Sequence, residues 1–140
     1  MSYLVDVNVW LALSTPGHPH HEPATQWFGE SDSKLYFCRV TQMGFLRLVT
    51  NPRVMERSVI SPERAWTVLS LLLEDSRIAF ASEPAGIEQA WKPQTRGHHQ
   101  GHHFWTDAYL AAFASAAGLT LLTFDRAFAR RKDVGVHLLS

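Results

Sequence analysis

Cysteine is almost absent from this chain: among 140 residues, Cys38 is the only one. An internal disulfide is therefore excluded, and the composition favours a reducing compartment. An apolar run long enough to span a bilayer is also missing. The N-terminus enters a strand-like run, Tyr3-Leu4-Val5, without the basic segment and apolar core of a signal peptide. We therefore expect a cytoplasmic protein with no membrane partner.

An excess of charge of either sign is lacking as well. The 13 basic and 13 acidic side chains give a formal net charge of zero. Bulk electrostatic attraction to nucleic acid is therefore excluded, and RNA or DNA would need a local basic patch. What the chain does have is a hydrophobic share of 46% with 19% charged residues, which is typical of a globular protein. We see no repeat or linker, so the length predicts a single domain over residues 1–140.

Short apolar runs alternate with segments of helical periodicity. The apolar runs predict strands at residues 3–7, 35–37, 78–81, 120–122 and, at an edge, 136–138. Apolar spacings of three and four residues predict helices at residues 9–13, 20–31, 41–50, 61–74, 84–91 and 106–117, with Thr106 as the cap of the last one. This alternation predicts an α/β sandwich with a mainly parallel central sheet.

Three aspartates occur where an apolar run meets a helix: Asp6, Asp107 and Asp125. In a parallel sheet such junctions converge on the carboxyl edge of the strands. Carboxylates that converge without basic partners repel one another unless they hold a hard divalent cation. We therefore predict a Mg²⁺ site, with Mn²⁺ as the alternative ion, held by these three acids and Asn8 and used to cut phosphodiesters. The Thr123 hydroxyl is a further oxygen donor near the same point.

A plainer interpretation exists for each acid taken alone. An aspartate after a strand is often a helix cap, and Asp107 beside Thr106 suits the positive end of a helix dipole. The convergence of all three acids favours the metal site. A haloacid-dehalogenase-like phosphatase, with Asp6 as nucleophile, is a weaker alternative because a second aspartate is expected at position 8, where Asn8 stands.

The same segments resemble a known family. Residues 4–10, LVDVNVW, look like the opening of PIN-domain nucleases, and residues 106–114, TDAYLAAFA, look like the helix that carries their third acid. Residues 121–128, LLTFDRAF, look like their last acidic segment. The phrase GFLRLVTNP at residues 44–52 is similar to one branch of VapC-type toxins. The motifs occur in the family's order over nearly the whole chain.

This resemblance implies a PIN-like α/β/α fold and a Mg²⁺-dependent endoribonuclease whose catalytic residues are Asp6, Asp107 and Asp125. It implies hydrolysis that leaves a 5′-phosphate and a 3′-hydroxyl. It also implies the toxin role in a toxin–antitoxin pair, with an RNA substrate, a cognate antitoxin protein and a homodimer. Phe45, Leu48 and the helix at residues 61–74 are the candidate surfaces for such partners.

One position departs from the family's pattern. PIN nucleases usually carry a glutamate in the helix after the second strand, whereas here that helix has Gln42 and Gly44 and no acid. Fewer negative ligands should weaken metal binding. Two functions therefore stay open: a nuclease that binds its metal loosely, and a catalytically weak or inactive PIN fold that binds RNA or a partner.

Other clusters carry weaker signals. His98, His99, His102 and His103 precede the predicted 106–117 helix and indicate RNA contact, a solvated polar loop or, less convincingly, a transition-metal site. Arg126, Arg130, Arg131 and Lys132 follow Asp125 and indicate either phosphate contact or a solvated face. Trp10 and Trp105 flank acids, so each is a secondary candidate for stacking on a base.

Overall fold

The computed structural model describes residues 1–97 and 101–140. Within them a five-stranded sheet consists of β1 (Ser2–Val5), β2 (Lys34–Phe37), β3 (Ile78–Phe80), β4 (Thr120–Thr123) and β5 (Val136–Leu138). The strand order is β3-β2-β1-β4-β5, and every neighbouring pair is parallel. The prediction of an α/β protein with a mainly parallel sheet is confirmed, and so is the edge strand at residues 136–138.

Helices connect these strands. The described residues form α1 (Val7–Ser14), α2 (His21–Glu30), α3 (Arg39–Val49), α4 (Pro52–Met55), α5 (Pro62–Glu74), α6 (Ile87–Gln94) and α7 (Phe104–Ala117). Two 3-10 helices, Glu56–Ser58 and Arg126–Arg130, follow α4 and β4. In the described part of the chain, none of the helices has the length and apolar character needed to cross a bilayer.

The apolar core has one part on each face of the sheet. Successive side chains of a strand point to opposite faces, so Tyr3 and Val5 join one buried cluster while Leu4 joins the other. The first cluster is built on α1, α2, α3 and α5, and the second is built on α7. This layering gives the α/β/α sandwich and leaves the ends of the strands open for a site.

The centre of the sheet is its switch point. The strand β1 has β2 on one side and β4 on the other, so chain connections leave it in both directions. Val5 is in register with Leu122, and the Asp6 backbone N–H donates to the Leu122 carbonyl at 2.9 Å. The segments that follow β1 and β4 therefore emerge side by side at the carboxyl edge, where α/β proteins bind ligands.

The start of α7 differs from the prediction. The helix begins at Phe104, His103 stands at the N-cap position without a side-chain cap bond, and Thr106 lies inside the helix. The prediction that Thr106 caps this helix is therefore wrong. The Trp91 indole N–H donates to the Trp105 carbonyl at 3.2 Å, and the two rings pack edge to face. Packing against α6, which local sequence does not reveal, accompanies the earlier start.

Other boundaries moved by a few residues. The first strand ends at Val5 because Asp6 caps α1. The helix predicted at residues 84–91 begins only after Gly86, whose φ of 76° is left-handed, and it continues through Pro93 to Gln94. The short helix α4 was not predicted, although Asn51 caps it through the Arg53 N–H at 3.0 Å, because four residues carry no periodicity.

Candidate active site

Two of the predicted acids are helix caps, as the plainer interpretation expected. Asp6 stands between β1 and α1, and its Oδ1 accepts the Val7 N–H at 2.8 Å. Asp125 follows β4, and its Oδ1 accepts the Ala127 N–H at 2.9 Å. These bonds fix the direction of each carboxylate at the edge of the sheet. Capping and a further role are compatible, because each carboxylate oxygen has two lone pairs.

The Thr123 side chain joins the two caps. Its hydroxyl donates to Asp6 Oδ2 at 2.7 Å, and the same oxygen accepts the Asp125 backbone N–H at 2.9 Å. Thr123 is fully buried at the end of β4. A short bond from a buried hydroxyl to a carboxylate is among the stronger hydrogen bonds in proteins. Thr123 therefore holds Asp6 and Asp125 in a fixed relation, although the two acids are far apart in sequence.

Asn8 belongs to the same network. Its Nδ2 lies 3.4 Å from the Thr123 hydroxyl oxygen, and its Oδ1 accepts the Phe124 backbone N–H at 3.3 Å. Both ends of this amide thus bind the segment that follows β4. The contact ties the start of α1 to that segment. The role of Asn8 as a metal ligand stays a prediction, and what the structure assigns to it is the positioning of residues 123 and 124.

Asp107 reaches the site from the other face of the sheet. It lies in the first turn of α7, as predicted, and its side chain is half-buried. Burial raises the pKa of Asp107, and the charge of Asp125 raises it further. The charges of His103 and Arg131 act in the opposite direction and lower this pKa. Asp107 and Asp125 are therefore close enough to repel each other across the edge of the sheet.

The carboxyl of Asp6 carries the largest electrostatic cost at the site. Burial raises its pKa from 3.8 to about 6, although the bonds from Thr123 and Val7 pull it down. The charges of Asp107 and Asp125 add to the rise. The structure thus brings all three predicted acids within electrostatic reach of one another. A bound cation would relieve both the repulsion and the cost of ionising Asp6.

The donors at this edge fit a hard divalent ion. They are carboxylate, hydroxyl and amide oxygens, which are the ligands that Mg²⁺ and Mn²⁺ prefer. Across residues 1–97 and 101–140, however, no three side chains of His, Cys, Asp or Glu meet closely enough to form a ready metal cage. The acids line the edge without converging on one point.

The region of α3 where the resemblance leads us to expect a glutamate contains Gln42 and Gly44. A Cβ on Gly44 would lie 2.8 Å from Val7 Cγ2, so α3 and the start of α1 approach closely at this point. The Gln42 side chain instead accepts a hydrogen bond from the Arg39 guanidinium. Gly44 is thus a packing residue in α3.

The members of the basic run after Asp125 differ in their exposure to solvent. Arg126, Arg130 and Lys132 are exposed, whereas Arg131 is half-buried. Arg131 Nη1 donates to the backbone carbonyl and to Oε1 of Gln94, both at 3.2 Å, and Gln94 Nε2 donates to the Lys132 carbonyl at 3.1 Å. Arg131 is therefore the member of the run that is both anchored and electrostatically coupled to the site. Sequence reasoning missed Gln94, which carries no motif.

The histidine and tryptophan candidates have separate outcomes. His98 and His99 lie outside the described residues. His102 and His103 are exposed before α7, with ring centroids 4.2 Å apart. Trp105 is 56% exposed, whereas Trp10 is completely buried and stacks on Phe37 at 3.8 Å. Trp10 is therefore a core residue, and the prediction that it offers a surface to a base is wrong.

One further contact was not predicted. The imidazole of His20 stacks on the ring of Phe124, with centroids 4.5 Å apart and planes 19° from parallel. Phe124 stands directly between Thr123 and Asp125. No local pattern could have revealed this pair, because its two residues belong to distant segments that meet only at the edge of the sheet.

Comparison with known proteins identifies the family of this fold. Residues 3–134 match the PIN domain family. The chain therefore belongs to the PIN domain family, and the resemblance read from its motifs is confirmed.

Individual relatives cover almost the full length. Ribonuclease VapC41 of Mycobacterium tuberculosis is 37% identical over an alignment of 143 positions, which covers 98% of each chain. Ribonuclease VapC39 of the same organism is 30% identical over 138 residues, covering 97% of each. Among solved structures, VapBC2 from Rickettsia felis, bound to a DNA fragment from its promoter, superposes with a TM-score of 0.71 over 100% of both chains at 14% identity. That last likeness concerns the fold alone.

Proposed function

We propose that this protein is a metal-dependent endoribonuclease that acts as the toxin of a toxin–antitoxin pair. The observation that carries the proposal is the group of three mutually coupled carboxylates, Asp6, Asp107 and Asp125, at the switch point of a PIN domain. Full-length similarity to proteins named as ribonucleases supports the reaction class. The substrate class is RNA, and the bond cut is a phosphodiester.

In this proposal the hydrogen bonds of Thr123 and Asn8 fix the orientation of the carboxylates at the edge of the sheet. Thr123 holds Asp6 and the start of the Asp125 segment, and Asn8 ties that segment to α1. The chemistry expected of Mg²⁺ or Mn²⁺ at such an edge is activation of water and stabilisation of the charge that develops on phosphorus. Arg131 and the neighbouring cations favour the approach of a phosphate despite the carboxylates.

We expect loose metal binding. The helix α3 carries no acid, its Gly44 packs against Val7, and among the described residues the three acids do not form a ready metal cage. Affinity follows the charge and convergence of the ligands. Calorimetry on the free protein should give dissociation constants on the order of millimolar for Mg²⁺, with Mn²⁺ supporting more activity. Micromolar Mg²⁺ binding would contradict this part of the proposal.

The decisive experiment is cleavage of purified cellular RNA in Mg²⁺, in Mn²⁺ and in excess chelator. Asp6→Asn, Asp107→Asn and Asp125→Asn should each abolish cleavage while the proteins stay folded. The control with the same change of charge is Asp32→Asn, at an exposed position between α2 and β2, and this variant should cleave normally. Full activity of the Asp6→Asn or Asp107→Asn protein would reject the site.

A protein partner is part of the proposal. Carboxylates held together without a cation attract an arginine fork, which engages two carboxylate oxygens at once. We therefore expect the cognate antitoxin to silence the enzyme by presenting an arginine to the three acids, in competition with the metal. Co-purification with the small protein of the adjacent gene should give a complex with low nuclease activity.

The alternative function is a PIN fold that binds RNA or a partner without cutting. The missing glutamate favours it, since α3 carries Gln42 and Gly44 in that region and no acid. Wild-type protein that binds RNA but shows no Mn²⁺-dependent or Mg²⁺-dependent cleavage would establish this alternative. Cleavage that disappears in the Asp6→Asn protein would reject it.

A further inference from the structure

The loop between α1 and α2 brings a flat ring to the candidate active site. His20, the last residue of this loop, lies parallel to the Phe124 ring at 4.5 Å. His20 is exposed to solvent, whereas Phe124 is half-buried against the core. One face of the imidazole is therefore covered by Phe124, and the remainder of the ring stays accessible.

The lower ring of this stack is anchored in the carboxylate network. The Phe124 backbone N–H donates to Asn8 Oδ1 at 3.3 Å, and its neighbours are Thr123, which binds Asp6, and Asp125. The stack thus stands on the same short segment that orients two of the three acids. A group lying on His20 would be close to any phosphate that reached those acids.

The backbone that carries the upper ring is also held in place. The His20 backbone N–H donates to His18 Nδ1 at 3.0 Å, and the His21 ring is bonded to the Ala12 carbonyl at 2.7 Å. The same loop lines a cavity of about 430 Å³, with His18 and Pro19 on one side and Arg57 of the 3-10 helix on the other. This cavity adjoins the residue before His20, and its charged lining residues are Arg57 and Glu56.

We propose that His20, supported by Phe124, is a stacking platform for one unpaired nucleobase of RNA next to the three carboxylates. This inference rests on the proposed function, because it assigns the base that accompanies the bound phosphate. Single-stranded RNA is recognised chiefly by stacking of splayed bases on aromatic and histidine rings. Stacking accepts any base, so the platform sets the position of the strand and the preference for unpaired RNA.

The test measures binding separately from cleavage. The full chain with Asp6→Asn is titrated by fluorescence anisotropy with short labelled oligouridylate and oligoadenylate. An abasic ribose-phosphate oligomer of the same length serves as the third probe. Because stacking contributes to base-bearing RNA alone, we expect the abasic oligomer to bind about tenfold more weakly than the other two.

Substitutions at His20 then separate stacking from charge and from hydrogen bonding. His20→Gln keeps a polar side chain of similar length but removes the ring, and it should weaken binding of both base-bearing oligomers about tenfold. It should leave binding of the abasic oligomer unchanged. His20→Phe keeps the ring without the imidazole nitrogens and should retain affinity. The control is Gln26→Ala, at an exposed position on α2 hydrogen-bonded to Glu30 of the same helix, and it should change the binding of none of the three oligomers.

Each outcome decides the inference. Equal losses on base-bearing and abasic oligomers in His20→Gln, or an equal loss in His20→Phe, would overturn it, because a phosphate contact or a damaged loop would then explain the effect. Thermal melts of the variants identify loop damage. Cleavage by the wild type is measured independently. If cleavage is normal but His20→Gln weakens the binding of base-bearing and abasic oligomers equally, the stacking platform is rejected and the nuclease is retained. Base-dependent binding without cleavage keeps the platform and rejects the nuclease. Absence of RNA binding by the wild type rejects both.

Discussion

Thr123 links two segments that are distant in the sequence, residues 6–8 and 123–125, so a single substitution tests the network. Thr123→Val keeps the shape but removes the hydroxyl that donates to Asp6 at 2.7 Å. We expect a loss of about 1.5–3 kcal/mol in the free energy of unfolding, typical of a hydrogen bond to a charged group. Cleavage should fall with it, because Asp6 loses its fixed orientation. Urea denaturation and the cleavage rate measure the two effects.

The matched control at this position is Thr123→Ser. Serine retains the hydroxyl and loses one methyl group, so most of the activity should return while part of the stability is still missing. An inactive Thr123→Ser protein would show that the methyl group, and not the hydroxyl, is what the site requires.

The pKa of Asp6 predicts a pH dependence of stability with a definite sign. The pKa of Asp6 in the folded state, about 6, lies above its ordinary value of 3.8. Between these two pH values the folded protein therefore binds more protons at Asp6 than the unfolded chain does. Stability from this group is therefore highest below pH 3.8 and is lost as pH rises through about 6, by about 3 kcal/mol in total. In chelator, Asp6→Asn should remove this loss and be more stable than wild type at pH 7.

The difference between wild type and Asp6→Asn isolates this group from the other titrating residues. Thermal melts between pH 4.5 and 7.5 should show a gap that widens with pH. Asp32→Asn, which changes the same charge at an exposed position, should give no widening. A constant gap between wild type and Asp6→Asn would mean that the Asp6 carboxyl is not costly to ionise in the folded state.

At the scale of the elements, the packing of α3 against α1 limits which side chain can occupy position 44. The Gly44 position in α3 lies against Val7 at the start of α1, with 2.8 Å from a built Cβ to Val7 Cγ2. A glycine in a helix normally gains about 1 kcal/mol on change to alanine, but overpacking here costs about 1–3 kcal/mol. Gly44→Ala should therefore lower stability or leave it unchanged, and Gly44→Glu should disturb α1 without strengthening metal binding.

A double-mutant cycle checks this explanation. In a Val7→Ala background the contact is relieved, so Gly44→Ala should become stabilising by about 1 kcal/mol. Additive effects of the two substitutions would show that α1 and α3 do not compete for the same space. Tighter metal binding by Gly44→Glu would instead show that the helix yields and that the side chain reaches the acids.

A second contact between elements lies at the other end of the sheet. Arg77 precedes β3 and donates to the Phe28 and Ser31 carbonyls at the end of α2, at 2.7 and 2.8 Å, while its guanidinium lies over the Phe28 ring. The same side chain binds Asp75 at 2.8 Å and lowers the pKa of Asp75 to about 2. Arg77→Lys should cost about 1–2 kcal/mol, since lysine cannot form this fork. Arg64→Lys, at an exposed position on α5, is the control for chemical denaturation.

At the scale of the whole molecule, large apolar side chains are exposed on α5, the helix expected to contact a partner. Trp66 is 56% exposed and Leu71 59% exposed on this helix, which is more apolar surface than a solvated helix needs. Phe45, in contrast, is completely buried, so its prediction as a contact residue is wrong. We expect a homodimer in sedimentation equilibrium and a monomer for Trp66→Asp. A Trp105→Asp control alters an equally exposed tryptophan on α7; a monomeric wild type would reject the dimer.

Much of the architecture followed from local patterns. The alternation of strands and helices, the Ser61 cap with Pro62 of α5 and the glycine that ends α7 were all readable, and each is a property of neighbouring residues. That Asp6, Asp107 and Asp125 lie at the same edge of the sheet was also predictable, because parallel strands end at a common edge. The start of α7 and the burial of Trp10 were not, because packing against α6 and Phe37 decided them.

The sequence by itself therefore determined the order of the elements and the acids that follow the strands, since both depend on periodicity and capping within a few residues. Tertiary structure alone decided which of these groups act together. The Thr123 bond to Asp6, the closeness of Gly44 to Val7 and the stack of His20 on Phe124 each join residues distant in the chain. Such contacts form only when the parallel strands assemble and their carboxyl ends lie side by side. No local sequence pattern therefore predicts them.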